Sequence, residues 1–155
     1  MSAFLKWLYL ITLVVWVGEV VFFSFVVAPS LFRTFPTEEA GRAVGAIFPT
    51  YYRLGYLCGG LLLGTSALLV GTATARAWWG VNTVLAAVML AATLYAGVII
   101  QPRATALRPQ LHEASAPQAV KDEFSSLHRL AVILNGVVLL CGVAVSVVTA
   151  ASLRP

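Results

Sequence analysis

The chain has 155 residues, of which 60% are hydrophobic and only 10% charged, with a formal net charge of +4. A soluble domain of this size carries roughly 25% charged residues, so the composition excludes a water-soluble globule and points to a single integral membrane domain over residues 1–155. The few basic residues form no stripe interleaved with aromatics, which excludes a nucleic-acid partner.

The first apolar run, Phe4–Ala28, holds Lys6 near its start and reads as a membrane helix rather than a cleaved signal. Glu19 lies ten residues before Pro29, roughly 15 Å along a helix axis, which is near mid-membrane. A carboxylate there is costly to bury and marks a candidate site for a proton, a cation or a basic substrate. The competing reading is a protonated or hydrogen-bonded glutamate that stabilises the bundle.

The connector Pro29–Arg53 reads as an interfacial helix over residues 37–48. Thr37 can cap it, and Glu38 and Glu39 suit its N-terminal end. Ala40, Val44, Ile47 and Phe48 share one face, and Glu38 and Arg42 stand at pairing distance on another. Pro49 is expected to end this helix, with Tyr51 and Tyr52 as aromatic anchors at the lipid headgroups.

The second span, Leu54–Thr74, carries Gly55, Gly59 and Gly64 at nearly small-xxx-small spacing, which argues for close helix packing. A short turn around Ala75-Arg76 makes it an antiparallel hairpin with the third span, Ala77–Ile100. Thr65, Ser66, Thr93 and Tyr95 supply polar groups inside the membrane, and Asn82 lies toward the other side. Pro102 is expected to end the third span. In the second long connector, Gln101–Arg129, Pro117 can start a helix running through Phe124 and His128 into the fourth span, Leu130–Ala151. His128 and Asn135 are seven residues apart on one helix face. His128 suits a proton shuttle or an interfacial anchor; Asn135 suits a hydrogen bond to a neighbouring helix or a ligand.

Both long connectors fall on one side of the membrane. They carry Arg33, Arg42, Arg53, Arg103, Arg108, Lys121 and Arg129, against Lys6, Arg76 and Arg154 on the other side. Seven basic residues against three place the connectors in the cytoplasm and both termini outside, the orientation expected in a bacterial inner membrane. Arg33 and Arg103 directly follow the first and third spans and could meet an anionic headgroup or substrate there, beside His128. Pro29 and Pro36 are seven apart, as are Pro102 and Pro109, a hint of two related helix pairs.

No hydrolase, kinase, P-loop or dinucleotide-binding motif occurs, so no enzyme activity is assigned. Cys58 and Cys141 form no CxxC pair and read as small apolar packing residues. Two His, two Cys and two Met, none clustered, make a poor metal site, and a bis-histidine haem would need His112 from a connector. No cofactor is expected.

The order of motifs resembles the transmembrane protein 205-like family, small four-helix membrane proteins with a domain of unknown function. The resemblance rests on Trp16-Val-Gly18, on Phe32-Arg33-Thr-Phe-Pro36 and on Phe48-Pro49-Thr-Tyr51-Tyr52. It continues through Pro102-Arg103-Ala-Thr105, and through Phe124-Ser-Ser-Leu-His128 with Asn135 beyond. It implies four helices and an association with tolerance of metal-containing or other toxic compounds. It brings no catalytic residue and does not bear on Glu19.

The expectation is an all-α bundle of four transmembrane helices with amphipathic connector helices. The leading function is binding or movement of a small molecule or cation. Glu19, Asn135 and Tyr95 would supply contacts in the span, and Arg33, Arg103 and His128 would supply them at the cytoplasmic face. Four helices leave little room for an aqueous path, so transport would favour a homodimer. The alternative is a non-catalytic accessory subunit of a larger membrane complex. A third reading, a haem- or quinone-linked redox protein, lacks ligands.

Overall fold

The structure, a computed structural model, describes residues 2–72, 76–111 and 117–152. Helix α1 (Ser2–Phe22) passes through a π-helical turn (Phe23–Val27) into α2 (Ala28–Thr34), and α3 (Thr37–Thr72) returns across the bundle. Helix α4 (Arg76–Tyr95) passes through a second π-helical turn (Ala96–Ile100) into α5 (Gln101–Leu111), and α6 (Gln118–Ser152) completes the fold. The described residues contain no strand.

Four continuous helical stretches, Ala3–Thr34, Thr37–Gly71, Arg76–Leu111 and Gln118–Ala151, are long and apolar enough to cross a membrane. Large apolar side chains on their outer faces stand open, Leu140 at 71% and Val14 at 68% exposure. A soluble protein does not leave such a girdle bare; lipid tails cover it here. The chain is an integral membrane protein with an all-α four-helix architecture.

Helix α1 packs on α3 and α6, and α4 packs on the same two, closing a ring. The α1 face carries Tyr9, Leu13, Trp16 and Val20, all buried at helical spacing. Trp16 rests where α3 has no side chain. A Cβ added at Gly59 would come within 2.7 Å of Leu90 Cδ1 and 3.0 Å of Trp16 Cη2, and one at Gly55 within 2.9 Å of Thr93 Cγ2. Gly64, grouped with them by spacing, meets nothing within 4 Å, and neither does Gly60. The glycine stripe is therefore a packing seat at Gly55 and Gly59 alone. The turn expected around Ala75-Arg76 lies largely outside the described residues, but α3 and α4 pack together as a hairpin requires.

Not all prolines behave as their sequence reading expects. Pro117 precedes α6 as expected, and Pro36 breaks a helix: Phe35 before it is extended, with φ −116° and ψ 154°, the conformation that a following proline ring favours. Pro36 then opens α3, its carbonyl accepting from Ala40 N–H at 2.9 Å. Thr37 is the first helical residue rather than the cap. Pro49 does not end an interfacial helix over residues 37–48; it lies inside α3, which runs unbroken from Thr37 to Thr72. Pro102 likewise does not end the third span, because the chain stays helical through it to Leu111.

The two π-turns explain how. A proline inside an α-helix clashes with the carbonyl four residues back and lacks an N–H to bond it. Just before Pro29, Ala28 donates to Phe23 O; just before Pro102, Gln101 donates to Ala96 O. Each bond reaches five residues back, which widens the helix where the proline ring must fit. Both π-turns begin six residues before their proline, and both prolines are followed by another seven residues on. The two helix pairs thus repeat a structural device, not only a proline spacing.

The second π-turn also creates a close contact. A Cβ at Gly97 would overlap the Tyr56 hydroxyl and come within 2.7 Å of the Tyr52 ring. Gly97→Ala should cost about 1–3 kcal/mol by overpacking, whereas Gly64→Ala, facing open space, should be close to neutral. Reversible unfolding of the two variants in mixed micelles measures the difference.

Candidate functional site

The continuation of α1, α4 and α6 beyond their spans builds a cavity at the end of the bundle that holds the long connectors. It has a volume of about 710 Å³ and lies between the π-turn after α1, the first half of α3, α5 and the first half of α6. That volume is typical of small-molecule sites.

Its floor is a chain of hydrogen bonds across three helices. Tyr51 donates its hydroxyl to Asn135 Oδ1 at 2.6 Å, and Asn135 Nδ2 donates to Ser24 Oγ at 2.8 Å. An amide has capacity for two bonds at each end, so Asn135 keeps one acceptor and one donor site beyond these. Behind the floor a void of about 20 Å³, bordered by Thr93, Ala96 and Val138, has room for about one water.

Its walls are aromatic and apolar. Phe23, Phe48, Tyr51 and Tyr52 pack as one cluster, with ring centroids 5.5 Å apart for Phe23–Phe48, 5.0 Å for Phe23–Tyr51 and 5.4 Å for Tyr51–Tyr52. Such spacings favour tilted and edge-to-face contacts. Ala131 and Val132 of α6 face them, and Phe32 closes the end toward α2. Phe32 and Val132 remain about half exposed, so the cavity is open on an apolar side.

Its rim carries Glu38 and Arg42 from the first turns of α3, Arg108 from α5 and the imidazole of His128 from α6. Arg108 is seated by a notch in α3. A Cβ at Gly45 would overlap its guanidinium. Pro49 has no N–H to give the carbonyl four residues back, which is that of Gly45.

The sequence-derived candidates divide on this geometry. Asn135 and His128 line the cavity, as do Tyr51 and Tyr52 of the motif residues. Arg33 and Arg103 are exposed and stand outside the lining. Tyr95 is 48% exposed on the outer face. Glu19 is half-buried beside Tyr51 and Cys58, and its Oε2 has no hydrogen-bond partner among the described residues. It too lies outside the cavity lining. Trp16 is a core residue, while Gly18, Pro36, Pro49, Pro102 and Thr105 shape helices or lie exposed. His112 lies outside the described residues. Among the described residues no three His, Cys, Asp or Glu side chains converge as metal ligands.

Reading the sequence alone missed Ser24, Phe23 and Arg108 as site residues, and placed Arg42 only in a helix pair. The available signal was the 3.6-residue stripe Glu38, Arg42, Gly45, Phe48, Tyr52, which is continuous only if Pro49 is accepted as helical.

The floor should be energetically coupled. Asn135→Leu should cost about 1 kcal/mol, within the range for interhelical hydrogen bonds in membranes. Tyr51→Phe should destabilise the wild type and have a much smaller effect in the Asn135→Leu background. A double-mutant cycle by unfolding in mixed micelles tests this; additive effects would show that the bond contributes nothing.

An uncharacterized protein of Aquifex aeolicus (strain VF5) is 45% identical over 42 residues, which are 27% of this chain and 32% of that one. The match therefore spans about a third of the relative's length. No solved structure matches the chain. The family described as Domain of unknown function (DUF4149) matches residues 11–113, from within α1 to the end of α5 and beyond. With more than half of its length matched, the chain belongs to this DUF4149 family.

Proposed function

We propose that the protein binds a small amphiphilic molecule in the cavity at the connector end of the bundle. The observation that carries this reading is the cavity itself: about 710 Å³, walled by aromatic and aliphatic side chains, with a few polar groups at floor and rim. Ligand sites have this character, a mostly apolar enclosure in which sparse polar groups fix orientation. The apolar open side suits a molecule that partitions into lipid.

The role is one of binding rather than catalysis, and transport or delivery to a larger membrane complex would build on it. A rim with two guanidiniums against one carboxylate disfavours a cation as the ligand. The motif resemblance to the transmembrane protein 205-like family, associated with tolerance of toxic compounds, supports handling of a small molecule. The excess of basic residues in the long connectors supports a cytoplasmic mouth and a bacterial inner membrane location.

Photolabelling tests the binding reading. A medium-chain alcohol carrying a diazirine, added to protein in nanodiscs, should label the α6 stretch from Phe124 to Asn135 and the Phe48–Tyr52 turn of α3. Ala131→Trp, which fills the cavity, should reduce that labelling several-fold. Equal labelling of lipid-facing positions such as Val14 and Leu140 in both proteins would sink the proposal. Orientation is read separately. In intact cells, a cysteine replacing exposed Arg76 should react with an impermeant maleimide and one replacing exposed Gln118 should not; the reverse pattern would place the mouth outside.

A further inference from the structure

The polar groups around the cavity are sorted along its depth. Glu38, Arg42, Arg108 and His128 all stand at the rim, while Tyr51, Asn135 and Ser24 form an uncharged polar floor. Arg42 and Tyr51 are nine residues apart on one continuous helix, or roughly 14 Å along its axis at 1.5 Å per residue. Between them the walls offer Phe48 and Ala131 and no charge. The enclosure is thus a polar head site joined to an apolar channel long enough for a medium-length alkyl chain.

The head site is built for negative charge. Glu38 already has an interaction of its own, and two arginines line the same cavity. Arg108 reaches across from α5 to α3. Its guanidinium lies against the backbone of α3 at Gly45, where any side chain would displace it. A guanidinium presents a planar fork of donors matched to carboxylate and phosphate oxygens. A neutral ligand would leave that fork without a partner, and a cationic one would be repelled.

Resting on the binding reading above, we propose that the ligand is an acidic amphiphile, a carboxylate or phosphate headgroup on an alkyl chain. Arg42, Arg108 and His128 hold its headgroup, and its chain runs along the apolar wall at Phe48 and Ala131. The shared chemistry is an oxyanion head on an apolar tail, supplied either by a free fatty acid or by an acidic membrane phospholipid.

Four diazirine probes of equal chain length, ending in carboxylate, phosphate, alcohol or trimethylammonium, test the charge. In phosphatidylcholine nanodiscs at subsaturating probe, the two anions should label the cavity about tenfold more than the alcohol, the gain expected from a charge-assisted hydrogen bond. The ammonium probe should label least. Arg108→Gln and Arg42→Gln should each lower the anion-to-alcohol ratio, and Arg108→Lys should restore part of it. Gly45→Ala changes no charge, yet should lower the same ratio by displacing the guanidinium; it guards against a variant that merely fails to fold.

Repeating the carboxylate arm in nanodiscs containing phosphatidylglycerol separates the sources. Suppressed labelling supports an acidic phospholipid as the resident ligand, and undiminished labelling supports a free fatty acid. Equal labelling by all four heads would overturn the acidic-ligand proposal while leaving the binding reading intact. Cavity labelling by none of them would overturn both.

Discussion

A helix in lipid must satisfy its backbone polar groups internally, and this constraint, applied to the prolines, shapes the molecule. At Pro36 the chain leaves the helix and turns back. At Pro29 and Pro102 it stays helical by widening into a π-turn. The second solution has a long-range effect: because α5 continues the line of α4, Arg108 is carried out to the level of the first turns of α3. Pro49 contributes from the opposite side. It removes a donor from the Gly45 carbonyl in the same turn where the missing Cβ of Gly45 leaves room. Cavity, rim and seated guanidinium all follow from how the backbone accommodates residues that lack an N–H.

Helix association in a bilayer has little hydrophobic drive, because lipid tails are as apolar as leucine. Close packing and interhelical hydrogen bonds must hold the bundle. Trp16 fits the backbone surface at Gly55 and Gly59, and Tyr52 and Tyr56 fit the surface at Gly97. Large rings set on glycine give many dispersion contacts at short range. The same tyrosine turn that locks α3 to the second π-turn also supplies the cavity wall. Strain or loosening at Gly97 would therefore be felt at the site, although Gly97 does not line it.

Much of the fold was legible in the sequence. Four apolar runs of adequate length leave few alternatives to four helices, and the short connector between the second and third spans fixes a hairpin. What misled was treating proline as punctuation. That rule is sound in water but weaker in membranes, where neighbouring helices and local π-turns re-satisfy the freed groups. The site was less legible for the same reason. With Pro49 and Pro102 as helix ends, Arg33 and Arg103 form the natural cytoplasmic pair. With both helices continued, the inward positions become Arg42 and Arg108, one face further on. Asn135 and His128 survived the change because α6 contains no proline among residues 118–152, so their seven-residue spacing kept its meaning.

The two ends of the bundle carry similar polar clusters in different surroundings. At one end Asn82 donates to Thr149 Oγ1 at 3.2 Å, and Tyr9 pairs with the same hydroxyl at 2.9 Å. Tyr9 also stacks edge-on against Trp79, with centroids 5.1 Å apart. Tyr9 and Asn82 have no exposed surface, so this cluster is sealed and acts as interhelical glue. At the other end Asn135 makes two bonds of the same kind, but one side of it faces open volume. If bundle stability were the sole demand, the aromatic cluster could have closed over Asn135 as Trp79 closes over Tyr9. Instead Ala131 stands one helical turn before Asn135, and the space above it is kept clear. A small residue beside a polar floor, under a rim that carries Arg42 and Arg108, supports the proposed ligand site over a purely structural bundle.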